Sequence, residues 1–329
     1  RRTHANGFKP KTVKTRVGEI SLQVPQTRDG EFYPSSLEKG LRSERALKAA
    51  LAEMYVKGVS TRRVAKITQQ LCGFEVTSTQ VSRVSAELDS ELEKWRERPL
   101  GEYPVVILDA RYEKIRQAGQ IINCAVLVAI GINADGYREV IGASVALSEA
   151  EVHWRDFLAH LKVRGLHGVR LFVSDAHEGL KAAREATFVG VPWQRCQFHL
   201  QQNAQRYVPK QSMKSDVAQT IRNIFTAHDL DTAKHYLANA IRQYEKTAPA
   251  LSQWMEENIP DGLTILDFPD MLRKRLRTTN SLERLNEEIK RRTRVVRIFP
   301  NEASCLRLVS AILMETSQEW ETGKRYLTF

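Results

Sequence analysis

The sequence predicts an α/β protein in which a sheet-forming core follows a small helical unit and is interrupted by a purely helical segment. Three observations carry this. Runs rich in Val and Ile cluster within residues 101–200, with helix-spaced patterns between them. Three short helical patterns precede that region. From 201 to 272 strand signals nearly vanish, and apolar residues such as Val217, Ile221, Ile224 and Phe225 recur at helical spacing.

The chain opens on Arg rather than Met, which reads as a piece lacking an upstream segment. Within a first segment, 1–40, residues 11–31 alternate apolar and polar positions at Ile20, Leu22 and Val24. Pro25 and the Asp29-Gly30 pair break the run, so short strands or a hairpin are expected. A second region, 41–100, carries helical patterns over 43–56, 60–72 and 78–95, separated by Gly58 and by Gly73 with "FEV". Short helices with Ser caps resemble a helix-turn-helix unit. In "STQVSRVSAEL", Thr79, Gln80, Ser82 and Arg83 are the residue types that reach base edges and phosphates. A packed three-helix linker without DNA contact is the competing reading.

Residues 101–200 form the first part of the core. "YPVVILD" is a strand ending on Asp109. "QIINCAVLVAIGI" and "REVIGASVAL" are two more strands, joined by the turn "NADG". "EVHWRDFLAHLKVRG" has helical spacing, "VRLFVSD" is a strand ending on Asp175, "HEGLKAAREA" a helix and "WQRCQFHL" a fifth strand. The order β-β-β-α-β-α-β matches the ribonuclease H-like fold, in which the first and fourth of these strands are neighbours. Asp175 alone could be a helix cap; paired with Asp109 at one edge of a sheet it reads as part of a site. A helical insertion, 201–272, then separates this from the last part of the core, 273–329, whose "TTNSLERLNEEIKRRTRVVRIFP" is a capped basic helix to about Arg292.

Two carboxylates can hold divalent metal, and phosphodiester chemistry favours a third ligand. Two Mg²⁺ ions about 3.5–4 Å apart activate an attacking oxygen and stabilise a leaving one. Oxygen donors suit Mg²⁺. Glu283, Glu287 and Glu288 are the candidates for the third, and spacing alone does not choose among them.

A formal charge of +11 points to a polyanionic partner. No apolar run nears the roughly 20 residues of a membrane span, so no membrane partner is expected. The four cysteines form no C-x-x-C pair, which suits a reducing compartment. Cys196 and His199 form a C-x-x-H pair without a second pair, so no zinc is expected. His177, two residues beyond Asp175, is placed to contact phosphate or orient water. Trp193 and Trp254 are candidates for stacking on an unpaired base. The basic run Arg273, Lys274, Arg275, Arg277, then Lys290, Arg291, Arg292, Arg294 and Arg297 flanks Glu283 on both sides, as a phosphate track would.

Several blocks together carry a resemblance: "LDARYEKIR", "FVSDAHEGLKAA", "WQRCQFHLQQNA", "RTTNSLERLNEEIKRRTRVVRIFPNEASCLRLV" and the tail "EWETGKRYL". With "KTVKTRVGEISLQVP" and "RSERALKAALAEMYVKGVSTRRVAKI" near the start, they resemble Mutator-like transposases of bacterial insertion sequences over almost the whole chain. The resemblance implies an Asp-Asp-Glu recombinase whose acidic triad falls on Asp109, Asp175 and Glu283. It implies that Cys196 and His199 are structural or DNA-proximal, and that the N-terminal DNA-binding region is shortened here. The implied activity is DNA transposition: Mg²⁺-dependent cleavage of transposon ends by water, then strand transfer by the freed 3′-OH, with Mn²⁺ able to substitute. The implied partners are double-stranded terminal repeats and target DNA, bound by a homodimer in the bacterial cytoplasm at the nucleoid. The rivals are a ribonuclease H-like nuclease or resolvase that cuts without joining, and a DNA-binding protein of this fold without chemistry.

Overall fold

β-branched runs, short turns and well-capped helices set the architecture. The structure, a computed structural model, describes residues 4–30, 32–35, 37 and 43–329. By internal contacts the chain forms two units, Arg1–Glu93 with Lys290–Arg297, and Lys94–Ile289 with Ile298–Phe329.

In the first unit, β1 (Ala5–Thr15) and β2 (Gly18–Thr27) pair antiparallel around a two-residue turn, with Thr15 opposite Gly18. Pro25, expected to end the run, lies inside β2 opposite Phe8. A two-stranded ribbon has only edge strands, where proline's missing N–H is tolerated. Helices α1 (Arg45–Val56), α2 (Thr61–Cys72) and α3 (Ser78–Ala86) follow. The Ser60 hydroxyl accepts from Arg63 N to open α2, and Gly73 closes it at φ 73°. A reciprocal capping box between Thr77 and Gln80 opens α3. Leu47, Leu51, Val64, Phe74, Val76 and Val81 form their common core. The helix expected over 78–95 is two helices, α3 and α4 (Asp89–Arg96). Asp89 and Glu91 in the first turn of α4 favour a new start there. The boundary expected near residue 40, and Glu31 at the end of the hairpin segment, lie outside the described residues.

The second unit holds β3 (Val105–Gln117), β4 (Gln120–Ile132), β5 (Arg138–Ala146), α5 (Glu151–Val163), β6 (Leu171–Ser174), α6 (Glu178–Thr187) and β7 (Trp193–Arg195). Its five-stranded sheet has the order β5-β4-β3-β6-β7. The first three strands are antiparallel neighbours; β6 runs parallel to β3, and β7 parallel to β6. Ala118 and Gly119, at φ 48° and 82°, make the tight turn from β3 to β4. From Cys124 to Ile132 every residue of β4 is buried, the mark of a strand covered on both faces. Trp154, Phe157, Leu158 and Leu161 of α5 and Leu180 of α6 pack on Val106, Leu108, Leu127 and Phe172.

Two strand lengths differ from expectation. β3 does not end on Asp109 but runs eight residues further as a ribbon with β4. β7 stops at Arg195, and the rest of the expected fifth strand is α7 (Gln197–Ala204). Then come α8 (Lys214–Phe225), α9 (Leu230–Tyr244), α10 (Pro249–Asn258) and α11 (Asp270–Leu276), with short 3₁₀ turns between. Leu200, Val217, Ile221, Phe225, Leu237 and Met255 give α7–α10 a core of their own. Last are α12 (Asn280–Val296) and α13 (Glu302–Glu321), the latter packed on β5 and β3. Among the described residues no helix is long and apolar enough to cross a membrane.

The C-terminal tail is pinned to the β4–β5 turn. Tyr326 N and Leu327 N both donate to Gly136 O, and the Arg138 guanidinium sits 4.3 Å and 4.5 Å from the Trp320 and Tyr326 rings. Gly136 has φ 85°, and a Cβ there would fall 1.9 Å from Leu327 O. Gly136→Ala therefore costs at least about 1 kcal/mol, read as a lowered Tm in thermal unfolding; an unchanged Tm would mean that the tail is not held at this turn.

Candidate active site

β3 and β6 pair in parallel with Val105 opposite Leu171, Val106 opposite Phe172 and Ile107 opposite Val173. The same register carried two residues on sets Asp109 opposite Asp175. Same-register positions on neighbouring strands share a face of the sheet, so the two carboxylates are neighbours by construction. Each Asp uses Oδ1 to accept from the next backbone N–H, Ala110 at 2.9 Å and Ala176 at 2.8 Å. Asp175 is not the cap of α6; His177 holds that position.

The third element is α12. Asn286 Nδ2 donates to Asp109 Oδ2 at 2.6 Å, and Arg111 donates to the Asn286 backbone carbonyl. Glu283 lies three residues earlier, on the same side of the helix. Its Oε1 is buried and has no hydrogen-bond partner. Glu287 is exposed.

A polar chain anchors the start of this helix. Thr279 donates from both its N–H and its hydroxyl to Cys196 Sγ at 3.4 Å, and Gln197 N donates to Arg277 O at 2.9 Å. His199, on α7, brings Nδ1 to 3.9 Å from Asp175 Oδ2. Burial opposes ionisation of the Cys196 thiol, but His199 and Thr279 hydrogen-bonding outweighs it and brings the thiol below its ordinary value. In turn the Cys196 sulfur, with the charges of Asp175 and Asp109, raises His199 to about 9 against the opposing effect of burial. The pair thus sets a thiol of lowered pKa beside an imidazolium, with the positive member next to the carboxylates.

Burial pushes Asp109 up to about 6. The Ala110 N–H, Asn286 and the His199 charge pull it back, and the nearby Asp175 adds to the rise. Among the described residues no three or more His, Cys, Asp or Glu side chains are grouped as metal ligands. The residues nevertheless fit a hard dication. A raised carboxyl and an orphaned buried carboxylate oxygen are both short of positive charge. Asp109, Asp175 and Glu283 are oxygen donors throughout, the set Mg²⁺ prefers.

The other expected residues divide. Thr79, Gln80 and Arg83 are exposed on α3, but the Gln80 side-chain oxygen is engaged by Thr77 N at 2.8 Å in the capping box. Lys290, Arg291 and Arg294 are exposed, whereas Arg292 is 6% exposed and donates to Val56 O, so it ties its unit together instead of facing solvent. Arg275 is exposed and lies over the Tyr326 ring at 5.0 Å; Arg277 is half-buried. Arg273 is spent on the carbonyls of Phe268, His228 and Leu266. His177 is 4.0 Å from Glu149. Neither tryptophan offers a free face: Trp254 is 7% exposed and stacked on Tyr207, and Trp193 is 9% exposed and donates to Ser174 Oγ. Sequence reading missed Asn286 and Thr279. The i,i+3 spacing from Glu283 was the available signal for Asn286.

The family model described as "Transposase, Mutator family" matches residues 1–323. Similar proteins include the transposase for insertion sequence element IS406 of Burkholderia multivorans, 57% identical over 331 residues, covering 100% of this chain and 85% of the relative. The transposase for ISRM5 of Rhizobium meliloti is 46% identical, covering 98% of this chain and 81% of its own. The transposase for IS256 in transposon Tn4001 of Staphylococcus aureus is 38% identical, covering 100% and 85%. The chain belongs to the Mutator family of transposases, and its activity class is that of a DNA transposase.

The raised Asp109 predicts a pH effect. A carboxyl whose folded value, about 6, exceeds the ordinary 3.8 destabilises the fold as pH rises between those values, because the unfolded chain gives up its proton first. Asp109→Asn should therefore raise Tm relative to wild type above pH 6, with the gap closing below pH 4. Thermal melts across pH without divalent metal check this; a gap independent of pH would contradict the raised value.

Proposed function

We propose that Asp109, Asp175 and Glu283 form the catalytic site of DNA cleavage and strand transfer in a ribonuclease H-like core. The sheet order, with β6 parallel beside the central antiparallel β3, supports that fold. The run of helices from residue 201 to 272 supports its interruption by an insertion. The observation that carries the reading is the juxtaposition of the in-register Asp pair with α12, whose Asn286 touches Asp109 and whose Glu283 has an orphaned buried oxygen.

In this reading the three carboxylates would hold Mg²⁺, two ions per site, with Mn²⁺ able to replace it. Bound there, the metal supplies Lewis-acid stabilisation of charge on phosphate oxygens. Asn286 fixes the Asp109 carboxylate by its short hydrogen bond, and the Ala110 and Ala176 N–H groups hold one oxygen of each Asp. Preset carboxylates need no reorganisation during reaction, which is where such sites gain rate. His199 offsets part of the negative charge beside Asp175.

The reaction adds water across a phosphodiester at a transposon end. A new P–O bond forms to the water oxygen, the bond to the 3′ oxygen breaks, and the products are a 3′-OH and a 5′-phosphate. The freed 3′-OH then attacks a second strand, forming one phosphodiester as another breaks. No covalent protein–DNA link is involved, so no Ser or Tyr nucleophile is assigned. The substrates are double-stranded terminal repeats and target DNA, held by basic residues on each unit: exposed Arg275 and half-buried Arg277 on one, exposed Arg83, Lys290, Arg291 and Arg294 on the other. Two ends call for two copies, a homodimer on DNA, acting in the bacterial cytoplasm.

On a labelled transposon-end duplex with Mg²⁺, wild type should cut and join, while Asp175→Asn binds DNA but loses about 10²–10³-fold in rate, the scale of losing a major electrostatic stabiliser. Cutting without joining would favour a nuclease or resolvase, and binding without either a DNA-binding protein lacking chemistry. If Lys290 and Arg294 contact phosphate, removing both should flatten the dependence of log K on log salt by roughly 0.9 per contact, measured by titration at several salt concentrations.

A further inference from the structure

We propose that a cavity beside the carboxylates receives one unstacked nucleotide of the DNA flanking the cut phosphate. This rests on the transposase reading above. The cavity, about 270 Å³, is lined by Gln197, Phe198, Gln201, Arg222, Arg277 and Asn280 among others, and no carboxylate lines it. Phe198 is 46% exposed, unlike the buried Trp193 and Trp254. A large apolar ring left in solvent at a cavity wall offers a planar face.

The lining chemistry describes the ligand. Phe198 gives a surface for a flat, aromatic group, which any base can use because each has a π-face. Arg222 and Arg277 bring two guanidinium groups, suited to a phosphate or sugar–phosphate edge. Gln201 Nε2 is taken by Ala218 O at 3.2 Å and Gln197 Nε2 by Gly262 O at 2.9 Å. Those bonds hold both amides in fixed orientation at the wall. A planar ring platform, polar amides and two arginines on one lining together match a nucleotide better than an apolar molecule or a bare anion.

The position ties the cavity to the reaction. Phe198 adjoins His199, its ring centroid 5.5 Å away, and His199 Nδ1 is 3.9 Å from Asp175. On the other wall Asn280 begins α12, one turn before Glu283. The 2.9 Å bond from Gln197 N to Arg277 O joins the two walls. A base inside a duplex cannot reach such a cavity, so it must leave the stack. Stacking on Phe198 offsets that cost, and the turned-out nucleotide fixes the neighbouring phosphate against the carboxylates.

The test places 2-aminopurine, singly, at each position within a few nucleotides of the cut phosphate in a transposon-end duplex. Fluorescence is read with wild-type chain in the absence of divalent metal, and cleavage is then started with Mg²⁺. One position should brighten several-fold. Phe198→Ala should abolish that rise and slow cleavage at least tenfold, while cutting an end with an abasic site at that position as fast as wild type does. Arg277→Gln, which leaves the aromatic wall intact, should weaken the rise as well, and serves if Phe198→Ala does not fold. Wild type that cuts with no position brightening, or Phe198→Ala that brightens and cuts like wild type, overturns the nucleotide site alone. Wild type that cuts nothing overturns it together with the transposase reading.

Discussion

The parallel pairing of β3 with β6 is the constraint on which the site depends. Only three residue pairs are hydrogen-bonded between them, yet their register determines that Asp109 and Asp175 face one another just where the pairing ends. A slip of one residue would turn one carboxylate to the opposite face of the sheet. The core guards against that slip, because Val106, Leu108 and Phe172 must stay beneath α5 and α6. Packing thus enforces the juxtaposition of two like charges, and burial with that juxtaposition is what raises Asp109. The fold stores an unfavourable electrostatic arrangement that a cation would relieve, a common trait of functional sites.

The helix that carries Glu283, the proposed third carboxylate, is held beside Asp109 by a different kind of contact. α12 begins far along the chain from β3, beyond the whole helical segment with its separate core. Its approach is set by polar contacts: Thr279 to Cys196, Gln197 to Arg277, and Asn286 to Asp109. Cys196 and His199 therefore serve both ends of this arrangement. The sulfur anchors the helix that carries Glu283, and the imidazolium stands beside Asp175. A structural role and a place near DNA, the two roles implied for this pair by resemblance, are compatible in one motif.

Much of this was legible in the residues. Valine and isoleucine runs located the strands, and the order of elements implied that Asp109 and Asp175 would meet, because the ribonuclease H-like order it matched makes the first and fourth strands neighbours. The extension of β3 past Asp109 was hidden, since "RYEKIRQ" reads as polar although Ile115 and Glu113 are buried in the ribbon with β4. Arg292 looked like a surface cation within a basic run, and only the fold reveals that it reaches Val56 O. Trp254 looked like a candidate for stacking on DNA, but α7–α10 needed it for their own core. Aromatic exposure is a tertiary property, so Phe198 could not be told from a core residue by sequence. Asn286 was unreadable for a related reason: its partner lies 177 residues away.

Anomalous diffraction from Mn²⁺ in crystals of the chain bound to transposon-end DNA would probe the shared carboxylate site without relying on turnover. The proposed site predicts Mn²⁺ coordinated directly by Asp109 and Asp175, with Glu283 joining them. A fully occupied Mn²⁺ position that involves neither Asp, or an Asp-bound ion with Glu283 turned away in the DNA complex, would contradict the three-carboxylate site.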